Sequence, residues 1–388
     1  MRHAVACLAI IKKGFSFHIC MVYDVAVIGA GPAGSTAALK IGELGWKVAL
    51  LEKDEFAGQN NVCAGGINLG VVRNDIKIAD NAIEKKISGV KFIGRKGQIR
   101  KINAELLTVN RAVFDRWLAE KAAKVSDLFT STKINSVERG GGNWLVSSEK
   151  NSLKSKIVVF ADGPVSSIRR GLGIGFQPFR GNAYGSVIRE FHSENNSDLL
   201  EMIYDEKVSP AGYGWMFPKK DHVNIGLGFV SSTGCNAKNS MDYLIEKYFQ
   251  DFSGKKPFLE RAALIPCEPA RTICTGNGLI AVGDAAGLVE PFTGEGISFG
   301  MKSSSICAES VNSALSKNDI GAVANFSKEI QKEFWFKTFV FQSRLLKMLS
   351  NHPRAYNIFA TKFFISGAYE LSAGAASRLH SGIRTISG

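Results

Sequence analysis

The stretch from Tyr23 to Lys53, YDVAVIGAGPAGSTAALKIGELGWKVALLEK, constrains this chain more than any other. Val25, Ala26, Val27 and Ile28 form a short apolar run of the kind that fits a parallel strand buried on both faces. Gly29, Gly31 and Gly34 follow at GxGxxG spacing. One glycine serves a tight turn, one lets backbone approach a pyrophosphate, and one packs helix close to strand. Ala33, Ala37, Ala38, Ile41 and Leu44 recur at helical spacing, and Gly45 ends the helix. Its N-terminus offers free N–H groups and a partial positive charge to a phosphate. Val48–Leu51 make a second strand, and Glu52 at its end is placed to accept hydrogen bonds from ribose hydroxyls, which disfavours a 2′-phosphate. Strand, turn, helix, strand and acid in register predict a dinucleotide site in an α/β fold.

A chain of 388 residues with 45% hydrophobic and 21% charged residues has room for two substantial domains and is globular. Lys and Arg outnumber Asp and Glu by 48 to 35, which favours anionic partners without choosing among them. The seven cysteines are scattered, with no CxxC and no His cluster at zinc spacing, which suits a reducing cytoplasm and no structural metal. Residues 1–21 are expected to be an extension, disordered or not native, because Met21 stands two residues before the first strand and Lys12 and Lys13 interrupt any signal-peptide core. No run of uncharged apolar residues is long enough to span a membrane.

After Lys53 the segment containing CAGG reads as loop. Its adjacent Gly65 and Gly66 permit close approach to a flat ring, and Cys63 beside them is either a polar, proton-donating group or a small buried hydrophobe. Arg111 opens a helix over VNRAVFDRWLAEK, either to pair with a phosphate or as a solvated charge. Residues 132–160 read as short strands turning at GGGN and running into Ala161-Asp162-Gly163. From 175 to 270 the pattern turns mostly antiparallel. In Tyr213-Gly214-Trp215-Met216-Phe217-Pro218, period-2 aromatics set Tyr213, Trp215 and Phe217 on one strand face, to wall an apolar ligand or to fill a core. Leu279–Val282 is then a buried strand before GDAAG and PFTGEGI, which start a long helix through about Leu315.

GAGPAG with Glu52, NRAVFD, ADG, GDAAG and PFTGEGI together resemble FAD-dependent enzymes of the para-hydroxybenzoate hydroxylase fold. CAGG, YGWMFP and PFTGEGI narrow the resemblance to the geranylgeranyl reductase family, over roughly residues 22–310. The resemblance implies a Rossmann-type FAD-binding domain (22–174 with 271–316), an inserted antiparallel-sheet substrate domain (175–270) and C-terminal helices (317–388). It implies FAD contacts at Gly29, Gly31, Pro32, Ala33, Gly34, Glu52, Lys53, Cys63, Ala64, Gly65, Gly66, Arg111, Asp162, Asp284, Gly294, Gly296 and Ile297. Cys63 would be catalytic, and Tyr213, Trp215 and Phe217 would line an isoprenoid tunnel. The implied reaction is saturation of prenyl double bonds by reduced FAD. Alternatives are an aromatic monooxygenase of the same fold and a flavin-binding membrane-surface protein without turnover.

With a single nucleotide fingerprint, which FAD takes, the electron donor is expected to be transient NAD(P)H or a ferredoxin-like protein. From Ile330 to Gly388 the chain carries eight Lys or Arg against two Glu, among ten aromatics. That mixture suits an anionic lipid surface at the inner face of the membrane, and no nucleic-acid module is recognisable.

Overall fold

The computed structural model describes residues 11–12, 22–59, 63–72, 76–175, 179–189 and 198–365. The first of two sheets runs, from edge to edge, Ile11–Lys12, Asp127–Phe129, Val48–Leu51, Val22–Ile28, Ser152–Phe160, Leu279–Ala281 and Cys274–Thr275. Along this path it is parallel except at the last pair, and the hairpin Ile134–Gly140 with Asn143–Ser148 adds to it antiparallel through Ser152–Phe160. Val22–Ile28 lies inside, with Val25, Ala26 and Val27 fully buried, because parallel strands are covered on both faces and leave no polar alternation. The chain leaves this strand toward Val48–Leu51 on one side, and Ser152–Phe160 flanks it on the other. The first strand-to-helix turn therefore opens at the crevice where such sheets bind ligands.

Helix Pro32–Glu43 buries Ala37, Ala38 and Ile41 against this sheet and crosses helix Ile297–Ser316. A Cβ on Gly300 would lie 3.4 Å from the Ala33 Cβ, and the Ser304 hydroxyl donates to Ala33 O at 2.7 Å. Small residues thus bring the sequence-distant helix start of PFTGEGI onto GAGPAG. The GGGN turn joins strands Ile134–Gly140 and Asn143–Ser148, as its composition predicts.

The second sheet runs Leu259–Pro266, Arg180–Arg189, His222–Val230, Gly212–Pro218, Leu199–Tyr204, Ile83–Gly94, Ile99–Val109 and Gly66–Asn68. It is antiparallel save where Leu199–Tyr204 meets Ile83–Gly94. Helix Ala237–Tyr248 covers one face through Met241 and Leu244.

Two boundaries set from sequence need correction. The hairpin from Ile83 to Val109, assigned above to the FAD-binding segment, extends the sheet expected at 175–270, because backbone pairing across more than a hundred residues leaves no local periodicity. Ile11–Lys12, assigned to an extension outside the fold, pairs in parallel with Leu128 and Phe129. The rest of 1–21 lies outside the described residues.

Helices Asn325–Lys332, Phe334–Ser350 and Pro353–Ala360 follow, and residues 366–388 lie outside the description. Aromatic packing fastens the C-terminal segment to helix Ile297–Ser316 and to the second sheet. Phe339 meets Phe299 and Trp335 with ring centroids 4.8 and 5.3 Å away. Phe364 stacks on Tyr204 at 4.8 Å and on Phe92 at 5.3 Å.

Candidate active site

The three glycines of the first turn differ in what surrounds them. Gly29 has φ +99°, and a Cβ there would come within 2.5 Å of Ala161 O; one on Gly34 would sit 1.8 Å from Gly29 O. Both are fixed by the protein's own packing. A Cβ on Gly31 would meet no protein atom within 4 Å. It would stand instead in the cradle before helix Pro32–Glu43, whose first turn carries no acid and no side-chain cap. The N–H groups of such a helix start suit an anion. Glu52 accepts from the Ala30 N–H at 2.8 Å and the Asp54 N–H at 3.0 Å, which holds its carboxylate at the crevice. Burial raises its pKa against the pull of those two bonds. Lys53 next to it is exposed.

Asp162 accepts from Arg169 Nε at 2.7 Å. The other Arg169 nitrogens donate to the carbonyls of Gly163, Gly175 and Ala285, so one buried guanidinium ties ADG to GDAAG. Arg169 carried no signal in the sequence beyond its charge. Asp284 lies beside Gly296, where a Cβ would come 3.0 Å from its Oδ1. Burial raises the Asp284 carboxyl while Arg111 and Arg169 pull it down.

Arg111 is not the solvated charge allowed by its sequence position. Its Nε and Nη2 grip Asp115 at 2.7 and 2.8 Å, one turn along the same helix. Burial works against its charge, Asp115 more than compensates, and Cys63 lies within its reach. The Cys63 side chain is exposed, which removes the reading of a buried hydrophobe, and its sulfur accepts from Gly65 N–H at 3.3 Å.

The CAGG segment is pressed onto the aromatic strand. A Cβ on Gly66 would meet the Phe217 ring at 2.9 Å, and one on Gly65, where φ is +75°, would come 2.4 Å from Val109 O. Tyr213, Trp215 and Phe217 form a row, with successive centroids 6.0 and 6.5 Å apart. At the far end the Tyr213 hydroxyl donates to Thr293 O, in PFTGEGI, with Gly294 beside it. Trp215 lies over Gly226, where a Cβ would be 2.2 Å from its ring, and its indole N–H donates to Asn224 Oδ1 at 2.8 Å. The row therefore spans the gap between Cys63's loop and the start of helix Ile297–Ser316.

Lys219, two residues past Phe217, was missed because charge after FP in the sequence reads as solvated surface. Its side chain is buried, and Nζ donates to Val109 O at 2.9 Å beneath Gly65. Burial pulls it down to about 8, with Cys63 and Glu84 pulling the other way.

The open Gly31 cradle, the uncapped helix start and the fixed Glu52 fit FAD, and the class follows. Residues 24–100 match FAD dependent oxidoreductases, and residues 183–263 match the geranylgeranyl reductase catalytic domain. The chain is 31% identical to geranylgeranyl diphosphate reductase of Rhodobacter capsulatus, over 71% of this chain and 72% of that one. It is 30% identical to digeranylgeranylglycerophospholipid reductase of Methanocaldococcus jannaschii, over 81% of each. A geranylgeranyl bacteriochlorophyll reductase-like structure from Thermoplasma acidophilum superposes with TM-score 0.76 at 25% identity, covering 87% of this chain and 90% of that one. The flavin-dependent brominase Bmp2, at 18% identity and TM-score 0.71 over 92% and 94% of the two chains, shares the fold. The protein is an FAD-dependent oxidoreductase, and the chain belongs to the geranylgeranyl reductase family.

Gly31→Val is expected to fold and lose FAD, since only the ligand's space is filled. Gly34→Ala should lose fold and flavin together, as read by melting and by the flavin absorption of the purified proteins. Lys219 adds a pH test. Its folded pKa lies below the unfolded value of about 10.4, so its burial cost is fully present below about pH 8 and is relieved as pH rises toward 10. Wild-type melting temperature should therefore gain on that of Lys219→Met across that window.

Proposed function

We propose that the protein saturates C=C double bonds of geranylgeranyl or related polyprenyl chains, carried on membrane lipid or on a prenyl diphosphate. The observation that carries this reading is the aromatic row set between the Cys63 loop and the PFTGEGI helix start. Bound FAD in its reduced form supplies hydride. An unactivated alkene gives a protein nothing to polarise, so the work left to the chain is holding the alkene, excluding water and supplying a proton.

Tyr213, Trp215 and Phe217 hold an apolar chain, with Trp215 only 7% exposed and locked by Asn224. Cys63, exposed at the mouth of its loop, holds the proton. Arg111 and Lys219 are the cations behind it, both lying within electrostatic reach. The transient donor of electrons is NAD(P)H or a ferredoxin-like protein, in keeping with one dinucleotide cradle among the described residues.

Contact with an anionic lipid surface at the inner face of the membrane is supported by helix Phe334–Ser350. Phe334, Phe341 and Met348, seven residues apart, make one exposed apolar line, with Phe341 65% and Met348 61% exposed. Exposed Lys337, Arg344 and Lys347 share that helix, and the next helix exposes Ile358 and Arg354. Apolar side chains flanked by cations suit the headgroup boundary of an anionic leaflet. Among the described residues no helix is long and apolar enough to cross a membrane.

Mass spectrometry of lipids from cells that make both the protein and geranylgeranylated lipid tests the reaction, with one hydrogen molecule gained per double bond expected. Unchanged lipid masses alongside a bound, reducible flavin would leave the reading without support. Cys63→Ala should keep FAD and slow saturation by about 10²- to 10⁴-fold, the span of general-acid contributions. A loss under about threefold makes Cys63 a packing residue instead. The surface is tested separately: Phe341→Ser with Met348→Ser should reduce co-sedimentation with phosphatidylserine vesicles and leave flavin content intact.

A further inference from the structure

The aromatic row and the CAGG turn belong to strands that no backbone ladder joins. Gly212–Pro218 pairs with Leu199–Tyr204 and His222–Val230, whereas Gly66–Asn68 pairs with Ile99–Val109. In the sheet order, Leu199–Tyr204 and Ile83–Gly94 stand between the two groups. Their ends are nevertheless tied by two buried side-chain bonds that run in opposite directions. The Thr108 hydroxyl donates to Pro218 O at 2.9 Å, and the Lys219 ammonium donates to Val109 O at 2.9 Å. Each donor sits next to the residue that accepts from the other, so the two bonds form a clasp.

From this clasp an unbroken run of contacts leads to Cys63. Val109, gripped through its carbonyl, donates its own N–H to Gly65 O at 2.9 Å, and the Gly65 N–H donates to Cys63 Sγ at 3.3 Å. Lys219 Nζ lies 3.1 Å from where a Gly65 Cβ would stand, so the turn is bare of side chain where the ammonium passes under it. At its other end the lysine is anchored by backbone. Its N–H donates to His222 O at 2.9 Å, which closes the turn that follows the aromatic strand.

A cation is a costly choice for this position. Lys219 is 5% exposed, and Val109 O is the one acceptor of its ammonium among the described residues. An apolar side chain would fill the same space without taking a charge out of water, so packing alone gives no reason for a lysine. What the charge adds is a stronger bond to Val109 O, since a hydrogen bond from an ionised donor is about twice as strong as a neutral one. That strength falls where the aromatic strand is fixed to the turn that carries Cys63.

We propose that Lys219 is a positioning residue of the saturation reaction: by clasping Val109 it holds Gly65, and through Gly65 the Cys63 sulfur, in a fixed place against the aromatic row. The rings are locked by their own contacts, and the turn is paired to its own strand; the clasp sets one against the other. Lys219 thus acts through Cys63, and the inference rests on the reading of Cys63 given above.

Hydrogen exchange of the flavin-loaded protein, read by mass spectrometry, tests the clasp. In Lys219→Met, which keeps an apolar stem of nearly the same length, the Gly65 and Val109 amides should exchange about tenfold faster or more, while those of strand Arg180–Arg189 keep their wild-type rates. Saturation should fall by about 10²-fold in kcat, the cost of a reacting group misplaced by about 1 Å. KM for the prenyl chain and flavin content should not change, because the row and the FAD cradle stay intact. Thr108→Val removes the neutral half of the clasp and should raise the same two exchange rates. It carries the test should Lys219→Met fail to fold.

Unaltered exchange at Gly65 and Val109 would overturn the inference, as would faster exchange with kcat left at the wild-type value. A raised KM or lost flavin in place of the fall in kcat would also overturn it, since the lysine would then serve the wall or the fold. A wild type that saturates no prenyl chain overturns the proposed reaction instead, and the exchange rates still report on the clasp by themselves.

Discussion

The structure depends on one buried cation. Arg169 is 2% exposed, and its guanidinium holds the Asp162 carboxylate and the carbonyls of Gly163, Gly175 and Ala285. These groups come from the end of the central strand region, from the exit toward the second sheet and from the return through GDAAG. Arginine suits the position because its donors are fixed in a planar fork and it keeps its charge when buried. Removing one partner of such a pair leaves an uncompensated buried charge, at about 3–5 kcal/mol. The discontinuous halves of the flavin-binding unit are thus joined by a single side chain as well as by strand pairing.

The site is then assembled from places where a side chain has been omitted. Phe217 rests on Gly66, Trp215 on Gly226, and Tyr213 beside Gly294. Gly66 and Gly226 let the Phe217 and Trp215 rings approach backbone closely, and the row of rings becomes a rigid wall, not a set of mobile side chains. The hydrogen bonds of Trp215 to Asn224 and of Tyr213 to Thr293 satisfy the polar atoms that would otherwise be stranded. A wall of this kind has already lost its own conformational entropy on folding, so any chain laid against it would be met by a preorganised surface.

The C-terminal helices link the wall to the outside. Their inner face carries Trp335, Phe339, Gln342, Leu346 and Tyr356 into the two cores, and their outer face carries Phe334, Phe341 and Met348. One amphipathic segment therefore bears both on the core that Tyr213 packs against and on whatever surface the protein meets.

The sequence by itself determined what local rules govern. GxGxxG with Glu52, the GGGN hairpin and the period-2 aromatics each depend on backbone conformation or alternation within a few residues, and each stands where its spacing placed it. Tertiary structure alone decided the rest. The Ile83–Val109 hairpin joined the second sheet because its partner, Leu199–Tyr204, lies more than a hundred residues on, beyond any local period. Arg111 met Asp115, Arg169 met three backbone carbonyls, and Lys219 was buried under Gly65. Glu290 and Glu295 read in the sequence as ordinary loop acids of the PFTGEGI region, and only their burial in the fold raises both carboxyls. The chemistry of a charged side chain is set by its dielectric surroundings and its partners, and these exist only once distant segments have met.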